Sequence, residues 1–259
     1  MRTLLFYLRY TWFNIQEQFS DLPAVFAESL LVPFFIWVVV ELWRYFNASQ
    51  GHYTIQEVAL YVAVTETLYL TFLRTSSFSR ASADFSISLA RPRSWLLMSF
   101  TGIFGRCLGL RLIYLGIMVL IMPFFLIPWE LCFPVWLRLL SLLPILGLFQ
   151  ALMGMLFACF QVLWQEVHYF VMPVGKIFLS LGGVFGPIID FKEPFRSVLL
   201  KFPPSDVFFQ PAHYCLKGEF YQISPQDWIL KMLLTCLFLA ALNCVLFSWG
   251  KRYHQAYGG

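Results

Sequence analysis

The chain has 259 residues, 59% of them hydrophobic and only 12% charged, with a net charge of +4. Soluble domains run at about 45–50% apolar and about 25% charged, so no soluble core could hide this much apolar surface. A mean hydropathy of +0.71, scattered basic residues and no linker, charge block or repeat exclude a nucleic-acid binder and read as one all-α integral membrane domain, 1–259.

Residues 2 to 20 place Leu5, Leu8, Trp12, Ile15 and Phe19 at steps of three or four, with Arg2, Arg9, Asn14, Gln16 and Glu17 elsewhere on the wheel. This predicts an amphipathic interfacial helix over 1–20, lying on the bilayer. Arg9 breaks the apolar run Leu4 to Leu8 and no small-residue cleavage site follows, so a cleaved signal peptide is not expected. Asp21 and Pro23 then turn the chain into a first span, Leu22 to Trp43, kinked at Pro33. A second span runs from Gln56 to Leu73, with Thr54 as its cap.

The next apolar stretch, Trp95 to Ile127, exceeds the roughly 20 residues that a bilayer needs. Because Arg106 and Arg111 interrupt its first part, the third span is placed at Leu108 to Ile127, behind a separate helix at the interface. The fourth span covers Val135 to Trp164, the fifth Tyr169 to Ile189 and the sixth Trp228 to Trp249, with a long loop from Asp190 to Asp227 before the last. The fifth contains Pro173, Gly175, Gly182, Gly183, Gly186 and Pro187, which predicts a bend or break near Gly182. Irregular backbone at that depth requires surrounding protein or a water-filled cavity.

Arg74, Arg80, Arg91 and Arg93 lie between the second and third spans, whereas the loops around Ala48 and Glu130 hold little beyond Arg44 and Arg138. The positive-inside bias makes the arginine-rich loop cytoplasmic, and six spans then put both termini inside. The four basic residues of the Asp190 to Asp227 loop oppose this mildly. Within the cytoplasmic loop, residues 79 to 89 can form a short helix with Ala81, Phe85 and Leu89 on one face, ended by Arg91-Pro92. It suits either docking of a soluble partner or simple packing on headgroups.

Gly147, Ala151, Gly154 and Ala158 form a small-residue stripe for close helix approach, within the chain or at a subunit interface. Gly105–Gly109 and Gly182–Gly186 also fit GxxxG. Glu66 and Lys176 fall mid-span, where an ionisable group must face the bundle interior or a cavity. They could pair, snorkel or line a transport path. The six cysteines include no CxxC, and a Cys132–Cys215 disulfide is conceivable on the outer side. No GxxxxGK[ST], HExxH or GxSxG occurs, and the four histidines form no metal-ligand pattern, so no ATPase site, other catalytic site, metal or cofactor is expected in this chain.

Leu89-Ala90-Arg91-Pro92 after the cytoplasmic helix is similar to the Leu-x-Arg-Pro element of the type-two ABC exporter permeases, in their short bacterial six-span subgroup. Phe202-Pro203-Pro204-Ser205, continuing through Gln210-Pro211-Ala212 to Lys217-Gly218-Glu219, resembles their proline-punctuated outer segment, with Phe-Pro-Pro standing where Asn-Pro is usual. The resemblance covers nearly the whole chain. It implies a bacterial inner-membrane permease exporting amphipathic, drug-like or lipid-like cargo, paired with a second permease copy or a related one. A cytoplasmic nucleotide-binding dimer would supply ATP and Mg and couple through Asp84, Phe85, Leu89, Arg91 and Pro92. Pro203, Pro204, Pro211, Gly218 and Glu219 would shape the outer segment. The competing expectation is a non-transporting scaffold or channel subunit whose outer loop binds a partner.

Overall fold

Hydrocarbon offers backbone amides no partner, so a chain of this composition must satisfy its N–H and C=O groups internally, as helices do. The computed structural model describes residues 2–20, 22–29, 31–46, 53–72, 94–121, 127–164 and 167–256, and among these it is all-helical with no strand. The helices are α1 (Arg2–Ser20), α2 (Leu22–Ser29), α3 (Leu31–Phe46), α4 (Ile55–Phe72), α5 (Trp95–Ile121), α6 (Trp129–Leu163) and α7 (His168–Leu181). A 3-10 turn, Ile188–Asp190, leads to three short helices, α8 (Phe195–Lys201), α9 (Pro203–Val207) and α10 (Phe209–Lys217), and then to α11 (Pro225–Ala256).

Among the described residues, four helical stretches are long and apolar enough to cross a membrane: Val25–Tyr45 over α2 and α3, Trp95–Ile121, Trp129–Leu163 and Pro225–Arg252. The other two predicted spans do not meet that test. In α4 the carboxylates Glu57 and Glu66 and three threonines dilute the apolar content. With 14 residues, α7 is about 21 Å long, short of an about 30 Å hydrocarbon core. The first predicted span is covered by α2 and α3, on either side of Leu30, which lies outside the described residues.

The predicted break between an interfacial helix and the third span is absent. Instead α5 runs unbroken from Trp95 to Ile121 through both arginines. Its continuity follows from partners distant in sequence: Arg106 Nε donates to Asn14 Oδ1 at 3.1 Å and lies 3.7 Å from Glu17, while Arg111 Nε donates to Thr71 Oγ1 at 3.2 Å.

Helix α1 forms as expected but docks along α5 by its polar edge. Asn14 and Gln18 are buried, whereas Leu4, Leu5, Leu8, Trp12, Phe13 and Phe19 face outward. The contact is a glycine-lined seam. A Cβ on Gly105 would stand 2.5 Å from the Thr11 carbonyl oxygen, and one on Gly109 3.0 Å from the Ile15 carbonyl oxygen, so the two backbones touch. Tyr10 meets Gly102 and Gln18 meets Gly109, hence the two helices run in the same direction.

The stripe on α6 serves packing within the chain. Gly147 faces Leu108 and Phe104, Gly154 faces Ile103, and Ala151 and Ala158 are fully buried, which sets α6 antiparallel to α5. On the other side of α6, Asn243 Nδ2 donates to the Leu152 carbonyl at 3.0 Å and Gly250 abuts Val162, so α11 runs parallel to α6. Phe72, at the end of α4, contacts Phe149, Phe178 and Phe208 with ring centroids 6.0, 4.7 and 5.4 Å away. Truncating such a side chain to alanine costs about 3–5 kcal/mol.

The glycine seam yields a matched pair of substitutions. Gly105→Ala should lower stability by about 1–3 kcal/mol by overpacking. Gly116, on the same helix with nothing within 4 Å of its Cβ position, should gain or hold stability as alanine, since Ala exceeds Gly in helix propensity by about 1 kcal/mol. Thermal unfolding in detergent that showed equal shifts for both would refute the close α1–α5 contact.

Candidate functional site

The most heavily interlocked polar region lies where α7 ends and the segment from Gly182 to Tyr221 folds back onto α4. Helix α7 stops at Leu181. The Gly182 N–H closes its last turn on the Phe178 carbonyl at 2.9 Å, and Gly183 takes φ +72°, a left-handed conformation that favours glycine. Gly186 packs so tightly under the Trp43 indole that any Cβ would overlap it. The carbonyls freed by this break are met from α4: Tyr61 OH donates to Gly183 O at 2.7 Å and Thr65 Oγ1 to Val184 O at 3.1 Å.

The short helices then lie against α4, α6 and α11. Pro203 opens α9, where a missing N–H costs nothing, and Pro204 is buried. Pro211 stands in the first turn of α10, and Gly218, at φ +82°, ends that helix. Arg138 from α6 donates to the carbonyls of Cys215 and Leu216 at 2.9 and 3.2 Å, satisfying the last turn of α10. At the other end, Asp206 is joined to Lys231 of α11 at 2.6 Å, and Trp228 Nε1 donates to the Asp206 carbonyl at 3.1 Å. Burial raises the Asp206 carboxyl above its ordinary value, and the bond to Lys231 opposes that.

Against the start of α4, Lys217 Nζ sits 2.6 Å from Glu57 Oε1 and 5.1 Å from the centre of the Tyr53 ring. Glu57 is itself fixed by a capping box, since Thr54 N donates to Glu57 Oε2 at 2.8 Å and Glu57 N to Thr54 Oγ1 at 3.3 Å. The Tyr53 hydroxyl is hydrogen-bonded to His213 Nδ1, and the rings of Phe209 and Tyr221 close around that imidazole. Gln210 clamps Tyr221, accepting from its N–H at 2.9 Å and donating to its carbonyl at 3.0 Å. Burial and the neighbouring Lys217 cation differ in size but act alike on His213: burial first, both hold it below its ordinary value, while Glu219 opposes. Burial also raises the Tyr53 phenol, helped by Asp190 and Glu57. Burial thus disfavours the charged form of His213, and the Lys217–Glu57 pair lies at the edge of the cluster.

The residues singled out from sequence fall differently. Glu66 is buried on α4 but Lys176 is exposed on α7, and no ion pair joins them among the described residues. Because α7 turns Val171 and Gly175 inward, the neighbouring Lys176 points out. Cys132 and Cys215 are both buried free thiols, so the conceivable disulfide is not formed. Asp84, Phe85, Leu89, Arg91 and Pro92 lie outside the described residues. Tyr53 and Tyr61 carry no expectation from sequence, and His213, Arg138 and Lys217 are given none of the contacts they make here. Of these only Arg138, a lone cation in an apolar helix, carried a local signal.

Since the folded state holds His213 below the ordinary value of about 6.5, the unfolded chain binds more protons in the window between the two. Stability should therefore be full above about pH 6.5 and fall as pH drops through that window. Melting temperatures between pH 5 and 8 should show this slope in the native chain and a flatter one in His213→Gln. Identical slopes would exclude the imidazole as its source.

The sequence matches no family model and no curated protein.

Proposed function

We propose that this chain is the membrane permease subunit of an ATP-driven ABC exporter moving amphipathic, drug-like or lipid-like cargo. The observation that carries the reading is the folded-back segment between α7 and α11, three short helices held against α4, α6 and α11. It coincides with the stretch, Pro203 to Glu219, on which the resemblance to type-two exporter permeases rests. The antiparallel pairing of α5 with α6 and the parallel pairing of α6 with α11 also agree with alternate crossings, as six spans require.

In this reading α2–α3, α4, α5, α6, α7 and α11 supply the six spans, and both termini are cytoplasmic in a bacterial inner membrane. The chain has no ATPase site of its own. A nucleotide-binding dimer carrying ATP and Mg docks on the cytoplasmic helix at Asp84, Phe85, Leu89, Arg91 and Pro92, beside a second permease copy or a related chain. ATP-driven closure of that dimer pushes on the helix and favours one of two bundle arrangements. The drive is the difference in ATP affinity between the two arrangements, since equal affinity would shift nothing.

Mild detergent extraction should recover the chain with a P-loop ATPase, and the chain alone should hydrolyse no ATP. Phe85→Ala should weaken docking about thirtyfold, the loss typical of a buried aromatic anchor, and Arg91→Ala should leave hydrolysis running without transport. Unchanged coupling in both variants removes the docking role, and extraction that recovers no ATPase favours a scaffold or channel subunit.

A further inference from the structure

A helix flat on a bilayer crosses a spanning helix steeply and touches it over about one turn, 5.4 Å. Helix α1 does not meet α5 in that way. The contact keeps pace for two turns, with Tyr10 at Gly102, Thr11 and Asn14 at Gly105, and Gln18 at Gly109, so eight positions on α1 match seven on α5. Val25 of α2 continues the match to Leu110, Ile113 and Tyr114. The two axes are therefore close to aligned, and α5 is long and apolar enough to cross a membrane.

Depth follows from the partners of α5. Ile103 faces Gly154 of α6, and Leu152, two positions earlier on α6, receives Asn243 of α11, so Gly105, Leu152 and Asn243 lie within a turn of one level. On α11, residues 232–250 carry no charged side chain, a run of about 28 Å that matches a hydrocarbon core of roughly 30 Å. Lys231, joined to Asp206, stands at one end of it, and the exposed Lys251 and Arg252 stand at the other. Asn243 is eight positions from Lys251, about 12 Å inside the core. Asn14 shares that level, and there Arg106 Nε donates to its Oδ1 and lies 3.7 Å from Glu17.

The side chains of α1 are distributed to suit that depth. Leu4, Leu8, Trp12 and Phe13 are 59 to 66% exposed, while Asn14 and Gln18 are buried. Such an arrangement is costly in water and costs nothing against lipid tails.

We propose that α1 is inserted beside α5, with acyl chains covering its apolar face, instead of resting on the bilayer surface, and that it brings the partners that allow Arg106 to lie in the core. The two helices run the same way, so the N-terminus stays on the face where α5 begins. The placement holds whether or not the chain is a permease.

The full chain is placed in nanodiscs of phosphatidylcholine brominated either near the headgroup or near the chain ends, and the depth of single tryptophans is read from fluorescence quenching. Trp12 is read as the difference between the native chain and Trp12→Phe, and position 5 as the difference that Leu5→Trp makes in the Trp12→Phe background. Seven residues apart on an inserted helix, the two should differ in depth by about 10 Å. Bromines near the headgroup should then quench position 5 best, and bromines near the chain ends should quench Trp12 best. A flat helix holds both at one depth, so equal profiles overturn the proposal. Quenching of Trp12 by aqueous iodide, which puts α1 in water, overturns it too, as does quenching by no brominated lipid, which puts a second chain over the apolar face. If Leu5→Trp does not accumulate, Trp12 is read alone, and strongest quenching by bromines near the headgroup overturns the proposal equally.

Discussion

Two hydroxyl groups on α4 allow the rest of the bundle to exist in its present form. Where α7 ends at Leu181, carbonyls that a continuous helix would satisfy are released; Gly186 N–H reaches that of Gly183 at 3.3 Å, and burial makes any left unpaired costly. Tyr61 and Thr65 meet those of Gly183 and Val184. To do so α4 has to lie inside, in contact with the turn, and residues 58 to 68 are all buried. A helix so enclosed can be more polar than its neighbours, which is why α4 carries threonines whose hydroxyls bond back to their own helix at Tyr61, Ala63 and Thr67. Central position, polar composition and the broken seventh helix are three consequences of one pairing.

The outer helices obey the opposite logic. Against lipid an apolar side chain gains nothing by turning inward, so the force that orders a soluble amphipathic helix is absent and polar contacts decide the orientation. Helix α1 accordingly presents Leu5, Leu8 and Trp12 outward and keeps Asn14 and Gln18 against α5. Arg106 holds that polar edge in place, and the Gly102, Gly105 and Gly109 seam brings the backbones together. Van der Waals contact at short range and a few polar bonds, rather than area removed from water, fix the helix.

This distinction explains what could be read in advance. The helical class and the C-terminal end of α6, placed at Trp164 and found at Leu163, follow from an apolar run, whereas α6 begins six residues before the predicted Val135 and α11 overruns the predicted Trp228 to Trp249 at both ends. The stop at Leu181 follows from Gly182 and Gly183, whose cost in a helix is local. The amphipathic period of α1 was visible too, but its facing depended on glycines some 90 positions away. The supposed break before Leu108 rested on Arg106 and Arg111 lacking partners; Asn14, Glu17 and Thr71 supply them from other helices. At the candidate site the failure was of the same kind. Lys217–Glu57 and Tyr53–His213 each join residues 160 positions apart, and no spacing rule reaches that far, whereas Thr54 and Glu57, three apart, already had the form of a capping box.

The folded-back segment also limits how the bundle can move. Helix α10 is held to α6 by Arg138, to α4 by Lys217 and to Tyr53, just before α4, by His213, while α9 is held to α11 by Asp206. If α4 separates from α6, α10 must follow one of them and release the other. The Lys217–Glu57 pair is partly exposed, so its rupture costs little. The Arg138 bonds cap a helix end, and their loss would leave two carbonyls of α10 without a donor. Separation at α4 would also have to break the buried bond between Tyr53, which precedes α4, and His213 of α10. Motion of α4 and exposure of His213 are thereby tied to one another through the geometry of a single short helix.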